Sequence, residues 1–161
     1  LNVINHGDLW TNNIMFKHDE FGNVDDVQFI DYQIARYCSP AIDLIYFTWT
    51  SCNEEVREYR REELYDIYLQ TFNSTLEHLE FEQRLSAAEL RQDLVSARDW
   101  ALVVICQLLP SMMYDTDEVL AISMTESDAD FLNLHNGRRY RSLLPALARQ
   151  IMSEFLINNV N

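Results

Sequence analysis

Residues 6–13 read HGDLWTNN, and the apolar run IMF follows at 14–16. The stretch places Asp8 and Asn13 five positions apart, in a loop that leads into a predicted strand. A second aspartate, Asp31, closes the next apolar run at 27–30. Asp and Asn are also common turn formers that bond their own backbone. The spacing, the two apolar runs and the second Asp together favour a functional set of oxygen ligands over a plain turn.

These three residues suit the transfer of a phosphoryl group to a hydroxyl, which depends mainly on positioning and charge neutralisation. Asp8 is the predicted catalytic base, because its carboxylate would accept a hydrogen bond from the acceptor hydroxyl. Asn13 and Asp31 are the predicted ligands of Mg²⁺ and, through the metal, of ATP. Protein kinases place the same roles in an H-R-D-x-x-x-x-N loop and a later Asp. Gly7 stands where that pattern has Arg, and it suits a tight loop because glycine tolerates unusual backbone angles.

With this loop the sequence resembles the aminoglycoside phosphotransferase and choline kinase superfamily, whose catalytic loop reads H-G-D-x-x-x-x-N. Further motifs are similar to the ecdysteroid kinase-like group, also called CHK kinase-like: IDYQ at 30–33, RY at 36–37, SP at 39–40 and DLIYF at 43–47. The resemblance implies ATP-dependent phosphorylation of a small-molecule alcohol, with Mg²⁺, on a protein-kinase-like fold. Its motifs lie in residues 1–47, and the rest matches only as a helical lobe of fitting length.

The resemblance also implies a structural role for Asp43, which would reach back and accept amide hydrogens from the catalytic loop. The plain alternative is an Asp in the first turn of a helix opened by Pro40, interacting with the helix dipole. We expect His6 to brace the loop by hydrogen bonding, with a proton-carrying imidazole as the open alternative.

The pattern along the chain predicts a mainly α fold with a small β-hairpin, the C-terminal lobe of a protein-kinase-like fold whose N-terminal nucleotide lobe is absent. The hairpin joins 13–17 to 27–31 through a polar Gly-Asn turn, and 32–39 is irregular. A helix is predicted at 41–50, and capping boxes at 51–54 and 86–89 open the next two helices, the first of which runs to about 79. A buried apolar helix at 100–109 should end or kink at Pro110, and an acidic loop at 114–130 is predicted as a rim of the acceptor site. The last helix begins at about 140 and should bend at Pro145.

Composition narrows the partners and the compartment. The formal net charge of −14 argues against nucleic acid or an anionic membrane as a partner. Three cysteines without a C-x-x-C pair indicate neither a disulfide framework nor a zinc site, so we expect a reduced, cytoplasmic setting. The longest apolar run, at 100–106, is far shorter than a membrane-spanning helix.

A kinase also needs a lysine and a glycine-rich segment over the phosphates, and here the one lysine, Lys17, lies beyond the loop. We therefore expect residues 1–161 to be one catalytic-loop and acceptor-binding lobe, a fragment or truncated product that is inactive by itself. Its N-terminal kinase lobe would lie outside this sequence. The alternative is a catalytically inactive small-molecule-binding or interaction module. For the alcohol substrate, the subgroup motifs favour an ecdysteroid, whereas the acidic balance would suit a cationic acceptor.

Overall fold

The computed structural model describes residues 1–113 and 134–157, and the predicted acidic loop at 114–130 lies outside the described residues. The chain divides into two compact units, Leu1–Trp100 and Ala101–Asn161. Its described residues are mostly helical, with two small antiparallel strand pairs. The predicted fold class, mainly α with a small β-hairpin, is confirmed at this level.

Four short strands form the two pairs that hold the loop of interest. The first pair joins β1 (Val3–Asn5) to β4 (Arg36–Cys38), and the second joins β2 (Ile14–His18) to β3 (Val24–Phe29). The second pair is the predicted hairpin, but its return strand begins and ends earlier than predicted, so that Asp31 lies beyond it. The prediction that 32–39 is irregular is wrong in part, because β4 forms there through pairing with the distant β1.

The first helix, α1 (Ala41–Ser51), follows Pro40 as predicted. Ile45, Tyr46 and Trp49 are buried along one face of it. The predicted capping box at 51–54 is wrong, because α1 continues to Ser51 and the next helical stretch is capped by Asn53, whose Oδ1 accepts the Val56 amide at 2.9 Å. The start of α1 therefore follows from Pro40 and from its apolar face of β-branched and aromatic residues. Its C-terminal end depends on the elements that pack beside it.

Two further helices complete the first unit. A π-helical turn (Val56–Arg60) leads into α2 (Arg61–His78), which buries none of its residues completely. The apolar residues of α2 are therefore only partly covered, and Ile67 among them is 53% exposed. The predicted capping box at 86–89 is confirmed, and it opens α3 (Ala87–Ser96) with both reciprocal hydrogen bonds present.

The second unit is helical in its described part. It contains the end of α4 (Asp99–Val103), a π-helical turn (Val104–Leu108), α5 (Leu109–Met112), a 3₁₀ turn (Leu134–Asn136) and α6 (Arg138–Ile157). The prediction of a helix buried all round at 100–109 is wrong, because Leu102 and Cys106 are exposed while Val104 and Ile105 are buried. The wider π turn precedes Pro110, which has no N–H to donate to a regular helical turn. Pro145 lies inside α6, which continues past it.

The described residues include all three cysteines of the chain, and each of them is free. In the described part of the chain no single helix is long and apolar enough to cross a membrane, and one broken pair of helices passes that test by length and composition only.

Candidate functional site

The carboxylate of Asp8 is held from two sides. It lies in the loop between β1 and a 3₁₀ turn (Thr11–Asn13), where the side chain is half-buried. The hydroxyl of Tyr46 donates to Oδ1 at 2.5 Å, and Nδ2 of Asn13 donates to Oδ2 at 3.0 Å. Each oxygen thus keeps capacity for one further donor, since an ionised carboxylate offers about four lone-pair sites.

The side chain of Asn13 is oriented by two hydrogen bonds to Asp8. Its side chain is buried, and Nδ2 donates to the backbone oxygen of Asp8 at 2.9 Å as well as to its carboxylate. Because both amide hydrogens point toward Asp8, Oδ1 points the other way. Among the described residues no donor meets that oxygen, so it is available to a ligand.

Asp31 lies beside the H-G-D loop because the preceding residue, Ile30, is hydrogen-bonded to it. The Ile30 amide donates to the Asn13 carbonyl at 3.0 Å, and the Ile30 carbonyl lies 2.8 Å from Nε2 of His6. Asp31 itself has a φ of 65°, a left-handed conformation that is uncommon for residues other than glycine, although Asp adopts it more readily than most. Such conformations persist where surrounding bonds determine them, and they concentrate at functional sites. The strand pairing therefore brings the backbone of Asp31 next to Asn13, with its side chain exposed.

His6 braces the loop, as predicted. Its buried ring accepts the Asp8 amide hydrogen on Nδ1 at 3.3 Å, and Nε2 therefore carries the hydrogen that it donates to Ile30. The ring also packs against Tyr32, with ring centroids 4.6 Å apart. These two hydrogen bonds assign one tautomer and engage both ring nitrogens.

Asp43 carries the structural role that the resemblance implied. Its carboxylate accepts the His6 amide at 2.6 Å and the Gly7 amide at 3.0 Å, across more than thirty residues of sequence. Gly7 has a φ of 87° and lies close to Ile34, so that a Cβ added to it would be 2.4 Å from the Ile34 carbonyl oxygen. The prediction that glycine suits a tight loop at this position is therefore confirmed.

Three residues of this neighbourhood were not predicted. Asn5, only 2% exposed, donates through Nδ2 to the Cys38 and Ser39 carbonyls and accepts the Asp43 amide on Oδ1. Tyr46 and Arg36 belong to the motifs at 43–47 and 36–37 and had no predicted role. In the structure Nη2 of Arg36 donates to the Gly7 carbonyl at 3.2 Å. A polar atom on a buried face needs a partner, and that signal could have singled out Tyr46 before its partner was known.

The donor set fits Mg²⁺ by its chemistry. One free amide oxygen, on Asn13, and one exposed carboxylate, on Asp31, are the hard oxygen ligands that Mg²⁺ takes from proteins, with phosphates and water completing the shell. No group of three or more His, Cys, Asp or Glu residues within residues 1–113 and 134–157 could hold a metal ion. A site of this kind would therefore depend on a nucleotide to supply the remaining ligands.

A mostly helical chain with a braced H-G-D loop, an Asn five positions on and an Asp after the next strand has the features of a kinase-like protein. The model of the ecdysteroid kinase-like family matches residues 1–81, just over half of the chain, and the chain belongs to this family. Neither the curated proteins nor the solved structures gave a match. The matched region contains Asp8, Asn13, Asp31 and Asp43, whereas α3 and everything after it lies beyond the match.

Proposed function

We propose that residues 1–161 form the C-terminal, catalytic-loop and acceptor-binding lobe of a small-molecule kinase, which transfers phosphate from ATP to an alcohol hydroxyl. The observation that carries this proposal is the arrangement around Asp8, whose carboxylate is held by Tyr46 and Asn13. A turn-forming aspartate would bond its own backbone instead. Family membership supports the same class of reaction.

The chemistry assigned to the chain's own residues is modest. Asp8 would accept a hydrogen bond from the alcohol and direct its oxygen at the terminal phosphorus of ATP. As the new oxygen–phosphorus bond forms, the proton passes to the carboxylate, and the bond from phosphorus to ADP breaks. Asn13 and Asp31 would hold Mg²⁺, which supplies charge neutralisation on the phosphates when bound. The chain's remaining task is to keep Asp8 at its place.

The residues that bind the phosphates of ATP are proposed to lie outside residues 1–161. Kinases use a strand lysine paired with a helix glutamate for this purpose. The only lysine of the sequence, Lys17, is on β2 and pairs with Asp25 across the hairpin at 2.6 Å, with 69% of its side chain exposed. We propose that an N-terminal nucleotide lobe provides the clamp, and that the assembled enzyme works in the cytoplasm, where the free cysteines stay reduced.

An ecdysteroid-like alcohol is the proposed acceptor. Such a ligand is neutral, rigid and mostly apolar, and it calls for an apolar pocket with a few placed polar groups. The family supports this choice, whereas the net charge of −14 would suit a cationic acceptor. We rank the steroid first because the family motifs carry more detail than total charge.

Substitution of Asp8 tests the proposal. In the enzyme that joins this lobe to its nucleotide lobe, Asp8→Asn should lower kcat about 100- to 10,000-fold, the range that general bases contribute, with little change in nucleotide affinity. The measurement is transfer of labelled phosphate from ATP to a panel of neutral and cationic alcohols. Asp66→Asn, which removes the same charge from an exposed position on α2, is the matched control. Unchanged turnover in Asp8→Asn would remove Asp8 from its assigned role.

A second function is a binding or interaction module that does not turn over. It is favoured by the engagement of the only lysine in a surface pair rather than near the loop. In that case the protein would bind the alcohol with Mg²⁺ and ATP present and release no phosphorylated product, and Asp8→Asn would leave binding unchanged. The same alcohol panel, followed by binding calorimetry, separates the two functions.

A further inference from the structure

The hydroxyl of Tyr46 is the closest donor to Asp8 in the described structure. It comes from the buried face of α1, where Tyr46 is 3% exposed, and it reaches Oδ1 at 2.5 Å across 38 positions of sequence. A phenol on an apolar face has to find a polar partner when it is buried. In this chain that partner is the residue assigned as the base.

The direction of this hydrogen bond is settled by the environment of the phenol. Burial, followed by the hydrogen bond and the negative charge of Asp8, raises the pKa of Tyr46 well above its usual range. The hydroxyl therefore keeps its hydrogen throughout the working range of an enzyme and always donates. Asp8 remains the acceptor, and Tyr46 cannot take a proton from an alcohol.

The ring of Tyr46 is itself held in place. It stacks on Trp100 with centroids 6.3 Å apart and planes inclined by 20°. The guanidinium of Arg36 lies 5.7 Å from the centre of the Trp100 ring, and its Nη2 donates to the Gly7 carbonyl. The contacts thus form a closed circuit that leaves the loop at Gly7 and returns to it at Asp8.

We propose that Tyr46 is a positioning residue that sets the orientation of the Asp8 carboxylate for the acceptor hydroxyl; this inference rests on the proposed function. Asn13 holds Oδ2 from within the loop, and Tyr46 holds Oδ1 from the helix. With both donors present, rotation of the carboxylate about its last bond breaks at least one hydrogen bond. With Tyr46 removed, Asn13 is the one remaining side-chain donor to the carboxylate among the described residues, and Oδ1 has no donor to fix it.

The test is Tyr46→Phe, which keeps the ring and its stacking and removes one oxygen. We expect kcat of the two-lobed enzyme to fall about 10- to 100-fold, as expected when a reacting group is misplaced by about 1 Å. KM for ATP should change less than twofold, because Tyr46 does not touch the predicted metal ligands directly. Tyr65→Phe is the matched control and should leave kcat unchanged, since the one hydrogen-bond partner of that hydroxyl among the described residues is Thr48, at 3.5 Å.

A double-mutant cycle separates positioning from structural damage. In the Asp8→Asn background, Tyr46→Phe should cause little further loss, whereas general damage to the fold would lower activity in both backgrounds. Equal losses in both backgrounds, or an unchanged kcat in Tyr46→Phe alone, would overturn the proposal. Absence of turnover in the wild type would instead overturn the proposed function and this inference with it.

NMR provides a readout that does not depend on turnover. In the chain with isotope-labelled tyrosine rings, the signal lost in Tyr46→Phe identifies Tyr46. That signal should move in Asp8→Ala, which removes the acceptor of its hydroxyl, and the Tyr65 signal should not. A Tyr46 signal that stays in place would show that the hydrogen bond is absent and would overturn the proposal.

Discussion

Two glycines provide an internal comparison that tests how the H-G-D loop at residues 6–8 is built. Gly7 and Gly22 have nearly equal backbone angles, with φ of 87° and 84°. They differ in their surroundings, because a Cβ on Gly7 would lie 2.4 Å from the Ile34 carbonyl oxygen, whereas a Cβ on Gly22 would meet nothing within 4 Å. Comparison of Gly7→Ala with Gly22→Ala therefore separates two losses in the free energy of unfolding, one from the steric clash and one from the backbone conformation.

The expected magnitudes follow from these two terms. The left-handed conformation costs alanine about 1 to 2 kcal/mol, and a stiffer unfolded chain returns about 0.4 to 1 kcal/mol, so Gly22→Ala should lose about 1 kcal/mol. Gly7→Ala carries the same backbone term and must also displace a backbone carbonyl, which adds about 1 to 3 kcal/mol. We expect Gly7→Ala to lose about 2 to 4 kcal/mol in total.

Urea unfolding followed by tryptophan fluorescence measures the difference. All three tryptophans lie within the unit Leu1–Trp100, so the signal reports on the unit that contains the loop. With a slope of about 1 to 3 kcal/mol per molar urea, an extra loss of about 2 kcal/mol lowers the midpoint by roughly 1 M. Equal midpoints for Gly7→Ala and Gly22→Ala would refute the close approach of the loop to Ile34.

Two further predictions concern groups that support the site and the scaffold. Asp43→Ala should destabilise the chain by about 3 kcal/mol, because two charge-assisted hydrogen bonds to loop amides are lost from a half-buried group. In the same urea titration the control Asp66→Ala, at an exposed position, should change the free energy of unfolding by no more than about 0.5 kcal/mol. Equal losses in the two variants would contradict the bracing role of Asp43. The side-chain and then the backbone hydrogen bonds with Ser86 lower the pKa of Glu89, so the stability from this capping box should be present above pH 4.5 and disappear as pH falls through the lowered pKa. Ser86→Ala should raise that pKa toward its ordinary value, which an NMR pH titration of the Glu89 carboxyl measures, and an unshifted titration would contradict the assignment.

Short-range patterns in the sequence predicted much of the scaffold. The apolar runs with a Gly-Asn turn gave the hairpin β2–β3, and Ser86 with Glu89 gave the start of α3. These predictions are correct because the contacts that form these elements join residues near each other in sequence, so the sequence pattern shows the contact directly. The capping box predicted at 51–54 failed for a related reason, since α1 already occupied Ser51 and the sequence alone does not say where a neighbouring helix ends.

The sequence by itself determined which residues were candidates for the site: Asp8 and Asn13 by their spacing, Asp31 by its strand, and Asp43 by resemblance. Only the tertiary structure decided what surrounds them, including the hydrogen bond from Tyr46 to Asp8 and the pairing of β1 with β4. The physical reason is that a buried polar atom bonds whichever partner the packing brings within about 3 Å, and that partner is not set by local periodicity. Tyr46 fits an apolar helix face equally well with or without Asp8 above it, so its role became visible only when the helix and the loop were placed together.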